Sequence, residues 1–565
     1  MWMRRADWTA RWWWWPIGGA VLAVAFCLLI TREAGYPLDD AWIHQDFART
    51  LATTGRFAFL PGESGAGSTS PLWVVLLLPP QLMFHGQPPL AVLVGWTALL
   101  GGVALAGMGI AAGAVARELA RRAGFAAPLV DAAGLVAGLA VVLEWHLVWA
   151  AISGMETVLF GLVVTVLFLA AGRGMRPVAL GLLTALAITV RPEAALAGLL
   201  VVGGSLWMAA VGEGARGRLV MGWVRRWLAP YMAGVLVGSV PYVGLNLVAS
   251  GHLLPSTFYA KASFYAAGNY LRAAASDLGG LAVDLVGSSP VALLLPALSY
   301  SHWLLRRQDT RARRGAAVRG TAVHVSGRTA GTWIATLRAR IARQAVSWWA
   351  GAPTENGGAV SGAGASGAFP LRGVLWLWVV GLVGVYAGRG VATFVHGRYL
   401  MPVLPALIAL TSVGAAALLL DQRRRMLRMV AASLLVGAAL FSVVRGAQIY
   451  RDNVRFIDAT QVAAAQWLRE HAAPHTLVAT HDIGAIGYLS GRSVVDIAGL
   501  ADPEVIPLLR DQPALEAYLR QRHVAYVVIY ITWFPPPNVL VRDLAGREVF
   551  RTAGSQSLVI YRTGW

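Results

Sequence analysis

Residues 12–47 read WWWWPIGGAVLAVAFCLLITREAGYPLDDAWIHQDF. Four tryptophans, side chains that favour the lipid–water boundary, precede an apolar run of the roughly 18 residues needed to cross hydrocarbon. Directly after it come the adjacent carboxylates Asp39 and Asp40, then Trp42, His44 and Asp46. The basic start, MWMRRADWTAR, has the charge order of a secretory leader, but no small-residue cleavage site follows. The segment is therefore expected to stay as a first membrane span, with chemistry beginning where it ends.

The rest of the chain agrees. Its 565 residues are 57% hydrophobic and 13% charged, against about 25% charged in a soluble protein. Further apolar segments lie near 89–113, 125–147, 153–172, 174–190, 193–212, 227–249, 280–304, 371–388, 399–420 and 427–445. They predict a polytopic α-helical membrane protein of about 11–13 spans. The net charge of +19 sits in the connectors 1–11, 117–122, 173–176, 215–226, 306–343 and 422–428. Clusters of this kind mark cytoplasmic loops, so no nucleic-acid partner is expected. Alternation then puts 31–70, 151–156, 191–193, 250–279, 389–398 and everything after 446 outside. Residues 72–84, LWVVLLLPPQLMF, are short and carry Pro79-Pro80. They are expected to be re-entrant or interfacial, unless they cross and a later broken helix restores the parity. The only cysteine, Cys27, lies in the first span, so no intramolecular disulfide can form.

Two domains follow from composition. Residues 1–445 form the membrane domain, interrupted at 306–370 by a basic, Gly/Ala/Ser-rich cytoplasmic insert of flexible character. Its WIATLRARIARQAVSWW stretch suits either a loop or a helix lying on anionic lipid. From 446 to 565 the composition turns soluble. TLVATHD, RSVVDIAG and VAYVVIYI read as strands, with PALEAYLRQRH as a helix between the last two, which predicts a small extracytoplasmic α/β domain.

Each outside segment carries polar residues beside small ones, as lining of a cavity requires. In the first, Asp39 or Asp40 can cap a helix whose apolar face is Ile43, Phe47 and Leu51, with His44 one turn after Asp40. One carboxylate satisfies the cap. The second is the surplus: paired carboxylates can supply a general base or hold a divalent cation. Glu156 in SGMET suits a helix start or a ligand contact, and Arg191 and Glu193 in RPE suit an ion pair at a turn. Lys261 is the only lysine among 47 basic residues. A compact ammonium is not equivalent to a guanidinium as a phosphate partner, which marks it as a phosphate ligand. His252, Tyr259, His396 and Arg398 are further candidates for phosphate or sugar contacts. No zinc spacing, nucleophile elbow or dinucleotide fingerprint is present. His481, Asp482 and Asp496 end tail-domain strands, where α/β sites form.

The succession PLDDAWIHQDFARTLATTGRFAFLPGESGAGSTSPLW, SGMETVLF, TVRPEA, GHLLPSTFYAK, HGRYLMPVLP and HDIGAIGYLSGRSVVDIAGLADPE resembles the GT-C superfamily of integral-membrane glycosyltransferases. Its closest likeness is to the bacterial branch with the mycobacterial terminal arabinofuranosyltransferase. Protein O-mannosyltransferases and the lipid A aminoarabinose transferase are more distant. The resemblance covers nearly all of the chain except 306–370. It implies a catalytic aspartate at Asp39 or Asp40 and a second acidic position at Glu156. It further implies inverting transfer of a sugar, arabinofuranose or another pentose or hexose, from a polyprenyl-phosphate donor. The acceptor would be a hydroxyl of an envelope glycan, lipid or protein, at the outer face of a bacterial cytoplasmic membrane. His44, Glu156, Arg191, Glu193, His252, Tyr259, Lys261, His396 and Arg398 are the expected substrate contacts. The only cofactor entertained is a divalent cation, on Asp39, Asp40 and Glu156. The competing expectation is a lipid-linked-sugar translocase, which should spread polar residues over both faces or repeat its halves.

Overall fold

The computed structural model describes residues 12–32, 34–60, 68–212, 218–253, 255, 257, 259–260, 289–318, 368–387, 394–534, 538–554 and 556–565. Each apolar segment expected to cross holds a helix among its described residues, and 280–288 of the segment near 280–304 lie outside them. Trp14–Thr31, Leu90–Arg122, Met221–Val248, Val395–Leu419 and Gln422–His471 are long and apolar enough to span by themselves. Thr157–Gly172, Pro177–Val190, Ala194–Ala210, Pro290–Leu305 and Leu371–Tyr386 are shorter apolar helices. Lipid offers no contrast in polarity to drive helices together, so small residues set their approach. Leu90–Arg122 and Ala127–Leu143 meet on glycines: a Cβ on Gly113 would stand 2.7 Å from the Gly134 carbonyl oxygen.

Two expectations need refinement. The segment near 125–147 is not one straight span. Its helix ends at Leu143 and restarts as Trp145–Ile152, bent by 55°. Extended Glu144 makes the break, its buried carboxylate accepting from Ser289 Oγ at 2.8 Å and lying 2.7 Å from His146 Nδ1. Residues 72–84 fall in two six-residue helices, Pro71–Leu76 and Leu78–Met83, each about 9 Å long and too short to cross. They pack beneath the first-loop helix, Asp40–Thr54, where Gln81 donates to Gln45 at 3.0 Å.

The last long helix does not stop where the composition changes. Arg425–Ile457 runs through a π-helical turn, Asp458–Val462, into Ala463–His471. The tail domain is thus carried on a stiff extension of a span. Its sheet has five strands, β1 (Leu477–Thr480), β2 (Ser493–Asp496), β3 (Tyr526–Tyr530), β4 (Glu548–Arg551) and β5 (Leu558–Arg562), in the order β2-β1-β3-β5-β4. β1 pairs parallel with β2 and β3, and β5 pairs antiparallel with β3 and β4. Between β1 and β2 lies a short helix, Gly484–Ser490. The apolar face of the first-loop helix meets this domain rather than lipid: Phe47 shares a core with Trp73, Ile483, Ile486 and Leu468.

Candidate active site

The paired aspartates turn to different partners. Asp39 stands at the start of the first-loop helix but makes no side-chain cap to it. Its carboxylate instead accepts the backbone N–H groups of Gly484 at 2.7 Å and Ala485 at 2.8 Å, capping the tail-domain helix. The approach is close enough that a Cβ on Gly484 would lie 2.2 Å from the Asp39 carbonyl oxygen. Burial pushes the Asp39 carboxyl well above the usual range and the nearby charge of Asp482 adds to this, while the two amides pull it back. Asp40 lines a cavity that opens to solvent and is 37% exposed. Its Oδ2 accepts from Arg398 Nη2 at 2.5 Å.

The same cavity takes in His44, Glu156, Arg191 and Arg398, drawn from four segments far apart in the sequence. Glu156 is fully buried and, like Asp39, does not cap the helix it precedes. Arg191 donates to its Oε1 at 2.9 Å, and His44 Nε2 stands 3.2 Å from its Oε2. Arg191 also donates to Glu193 at 2.9 Å, and Tyr386 hydroxyl donates to the same Glu193 oxygen. The expected Arg191–Glu193 pair at the turn is present, and it extends into a chain that reaches the cavity through Glu156. A left-handed turn at Val395, His396 and Gly397 (φ 47°, 59° and 66°) leads into Arg398 and Tyr399, which line the cavity. Ile483, Leu500 and Ala501 of the tail domain form part of the wall.

Other expected contacts lie elsewhere. His396 points away from Asp40, its Nε2 2.8 Å from Asn453 Oδ1 and its ring edge-on to Trp145 and Trp149. His252 and Tyr259 are exposed, their rings 5.1 Å apart, and neither lines the cavity. Lys261, the basic stretch 333–349 and most of the insert lie outside the described residues. In the tail, Asp482 accepts from Gln461 at 2.7 Å. Asp496 accepts the Ala498 and Ala501 amides at 2.8 and 2.6 Å, holding the loop that supplies Leu500 and Ala501. Burial raises the Asp496 carboxyl to about 7 and lowers the buried imidazole of His481.

A shared cation does not fit the three carboxylates considered for it. Asp39 faces two amides, Asp40 faces Arg398, and Glu156 faces Arg191 and His44. Among the described residues no cluster of three His, Cys, Asp or Glu side chains is placed to hold a metal ion. The sequence argument passed over Thr257, Tyr386 and Tyr399, although Thr257 and Tyr399 lie inside the quoted GHLLPSTFYAK and HGRYLMPVLP stretches. A hydroxyl amid apolar residues at an outside boundary was the available signal.

Comparisons place this architecture among known proteins. A family described as a domain of unknown function (DUF8728) matches residues 447–561. No curated protein matches the chain by sequence. Among solved structures, ArnT from Cupriavidus metallidurans bound to undecaprenyl phosphate is 16% identical, with a TM-score of 0.50 over 97% of this chain and 98% of that one. The Archaeoglobus fulgidus oligosaccharyltransferase is 12% identical, with a TM-score of 0.51 over 96% of this chain and 73% of its own. The mycobacterial arabinofuranosyltransferase AftD, 14% identical over 97% of this chain and 40% of its own, scores 0.41, which assigns no branch. Two proteins of different size and origin thus align with almost the whole chain, and the chain shares their fold, as its resemblance to the GT-C superfamily led one to expect.

Proposed function

We propose that the protein is an inverting glycosyltransferase that uses a polyprenyl-phosphate sugar and works at the outer face of a bacterial cytoplasmic membrane. The observation that carries this is the placing of one aspartate, Asp40, on an open cavity beside a buried arginine, while its neighbour Asp39 is occupied by the tail domain. A fold alone does not determine an activity; the cavity supplies the groups that this transfer needs.

Asp40 serves as the base. It takes the proton of an acceptor hydroxyl, whose oxygen attacks the anomeric carbon opposite the phosphate. The bond between that carbon and the phosphate oxygen breaks, its electron pair leaves with polyprenyl phosphate, and the configuration inverts. Arg398 faces the leaving group, where preorganised positive charge counts most as negative charge develops. Before the donor arrives, its guanidinium holds Asp40; when the phosphate shares it, the carboxylate becomes the stronger base. Lys261 is a second candidate for the phosphate, four residues after the cavity residue Thr257. Undecaprenyl phosphate bound to ArnT supports a donor of this class. The acceptor reaches the site beside Leu500 and Ala501, so the tail domain shapes the acceptor side. Release of polyprenyl phosphate from a panel of donors, with the anomeric configuration of the product read by NMR, tests the proposal.

A further inference from the structure

Among the described residues, three buried polar atoms of the cavity lining, His44 Nδ1, Thr257 Oγ1 and Glu156 Oε2, form no hydrogen bond. His44 is 5% exposed and Thr257 6%. Both line the cavity that holds Asp40. Folded proteins rarely leave such atoms unpaired, because the desolvation cost is not recovered. A ligand that supplies the missing bonds is the economical account.

The surroundings specify that ligand. Arg191 fixes Glu156 Oε1 at 2.9 Å, and Glu156 Oε2 stands 3.2 Å from His44 Nε2. A carboxylate there keeps the imidazole proton on Nε2, which leaves Nδ1 as a lone-pair acceptor. The unpartnered nitrogen therefore calls for a hydrogen-bond donor, and the threonine hydroxyl can both give and take. Arg398 faces Asp40, and Arg191 is shared between Glu156 and Glu193, so the arginines of the lining are already engaged. Beyond the phosphate, a negative charge on the ligand would meet no spare cation among these groups.

We propose that His44 Nδ1 and Thr257 Oγ1 read the hydroxyls of a polyhydroxylated sugar ring that bears no carboxylate, with Glu156 and Arg191 as positioning residues that set the imidazole tautomer. The inference rests on the glycosyltransferase reading and adds the class of ring. Donor and acceptor sugars share this chemistry, and the test separates them.

The full-length purified protein is assayed with a neutral polyprenyl-phosphate sugar, its monodeoxy analogues, and acceptor glycosides with their monodeoxy analogues. A site that hydrogen-bonds a hydroxyl discriminates strongly against the analogue lacking it. Wild type should disfavour one deoxy compound by about 10–100-fold in kcat/KM. Thr257→Val keeps the shape and should accept that compound and its parent equally, while Thr257→Ser should restore the discrimination. Lost discrimination in the donor series assigns the ring to the transferred sugar; in the acceptor series it assigns the ring to the acceptor. Discrimination retained by Thr257→Val in both series overturns the subsite, and faster transfer of a uronate overturns the exclusion of an acidic ring. The same comparison read as donor and acceptor binding by calorimetry needs no turnover. A wild type that binds with this pattern but releases no lipid phosphate would contradict the glycosyltransferase reading alone.

Discussion

Asp39 and Asp40 are one peptide bond apart and do different things. Their adjacency is plain in the sequence, but their division of labour is not, because the amide that Asp39 caps is 445 residues away. Local pattern could only offer a cap within the same helix, and both Asp39 and Glu156 turn out to serve distant partners instead. Arg398 became legible as a candidate from its outside position, whereas its partner Asp40 could not be chosen over Asp39. His252 and Tyr259, exposed, do not line the cavity that holds Asp40. The two roles predict unequal mutants. Asp40→Asn removes the base and should lower kcat by about 100-fold or more, the scale of general-base loss. Asp39→Asn keeps an amide oxygen for one of the two N–H groups, and it resembles the neutral acid that burial favours. It should leave kcat within about tenfold and lower the melting temperature, a loss of one hydrogen bond to a charged group. Steady-state kinetics and thermal melts on the two purified variants check this; equal kinetic losses would contradict the division.

At the scale of elements, period and composition located the helices well, because ~18-residue apolar runs have few other uses. They located ends and joints poorly. The bend at Glu144, the unbroken helix from Arg425 through the π turn to His471, and the helix Gly484–Ser490 all depend on contacts between distant segments. The strands β1, β2 and β3 are buried apolar runs and were readable. The hairpin β4–β5 was not, since β4 is mostly exposed and carries no continuous apolar signal. The glycines of HDIGAIGY gained their meaning only in contact: Gly484 faces Asp39, and a Cβ on Gly487 would stand 2.8 Å from Phe59. Gly484→Ala should therefore separate the Gly484–Ser490 helix from the first loop, since backbone at 2.2 Å cannot yield as a side chain can. Hydrogen exchange should speed up over 484–490 and kcat should fall. Gly437→Ala, on a glycine with nothing within 4 Å, should change neither. Unchanged exchange in Gly484→Ala would show that the close contact is not maintained in solution.

The whole molecule is a helical bundle with a small α/β domain, and residues of both line the cavity that holds Asp40. Charge asymmetry predicts the sidedness, with residues 72–84 counted as non-crossing because each of their two helices is too short to span. With the only native cysteine, Cys27, buried, single cysteines report topology directly. An impermeant maleimide should label Glu470→Cys on intact cells and spare Ser361→Cys in the insert; the reverse pattern would invert the molecule. The most direct measurement of the central claim is turnover by the purified protein with polyprenyl-phosphate sugars and an acceptor, following free polyprenyl phosphate and glycoside together. The account predicts equal amounts of both from wild type, with inverted configuration at the new bond, and almost none from Asp40→Asn. Transport of the intact donor across a vesicle membrane, with no phosphate released by wild type under any donor, would contradict it in favour of a translocase.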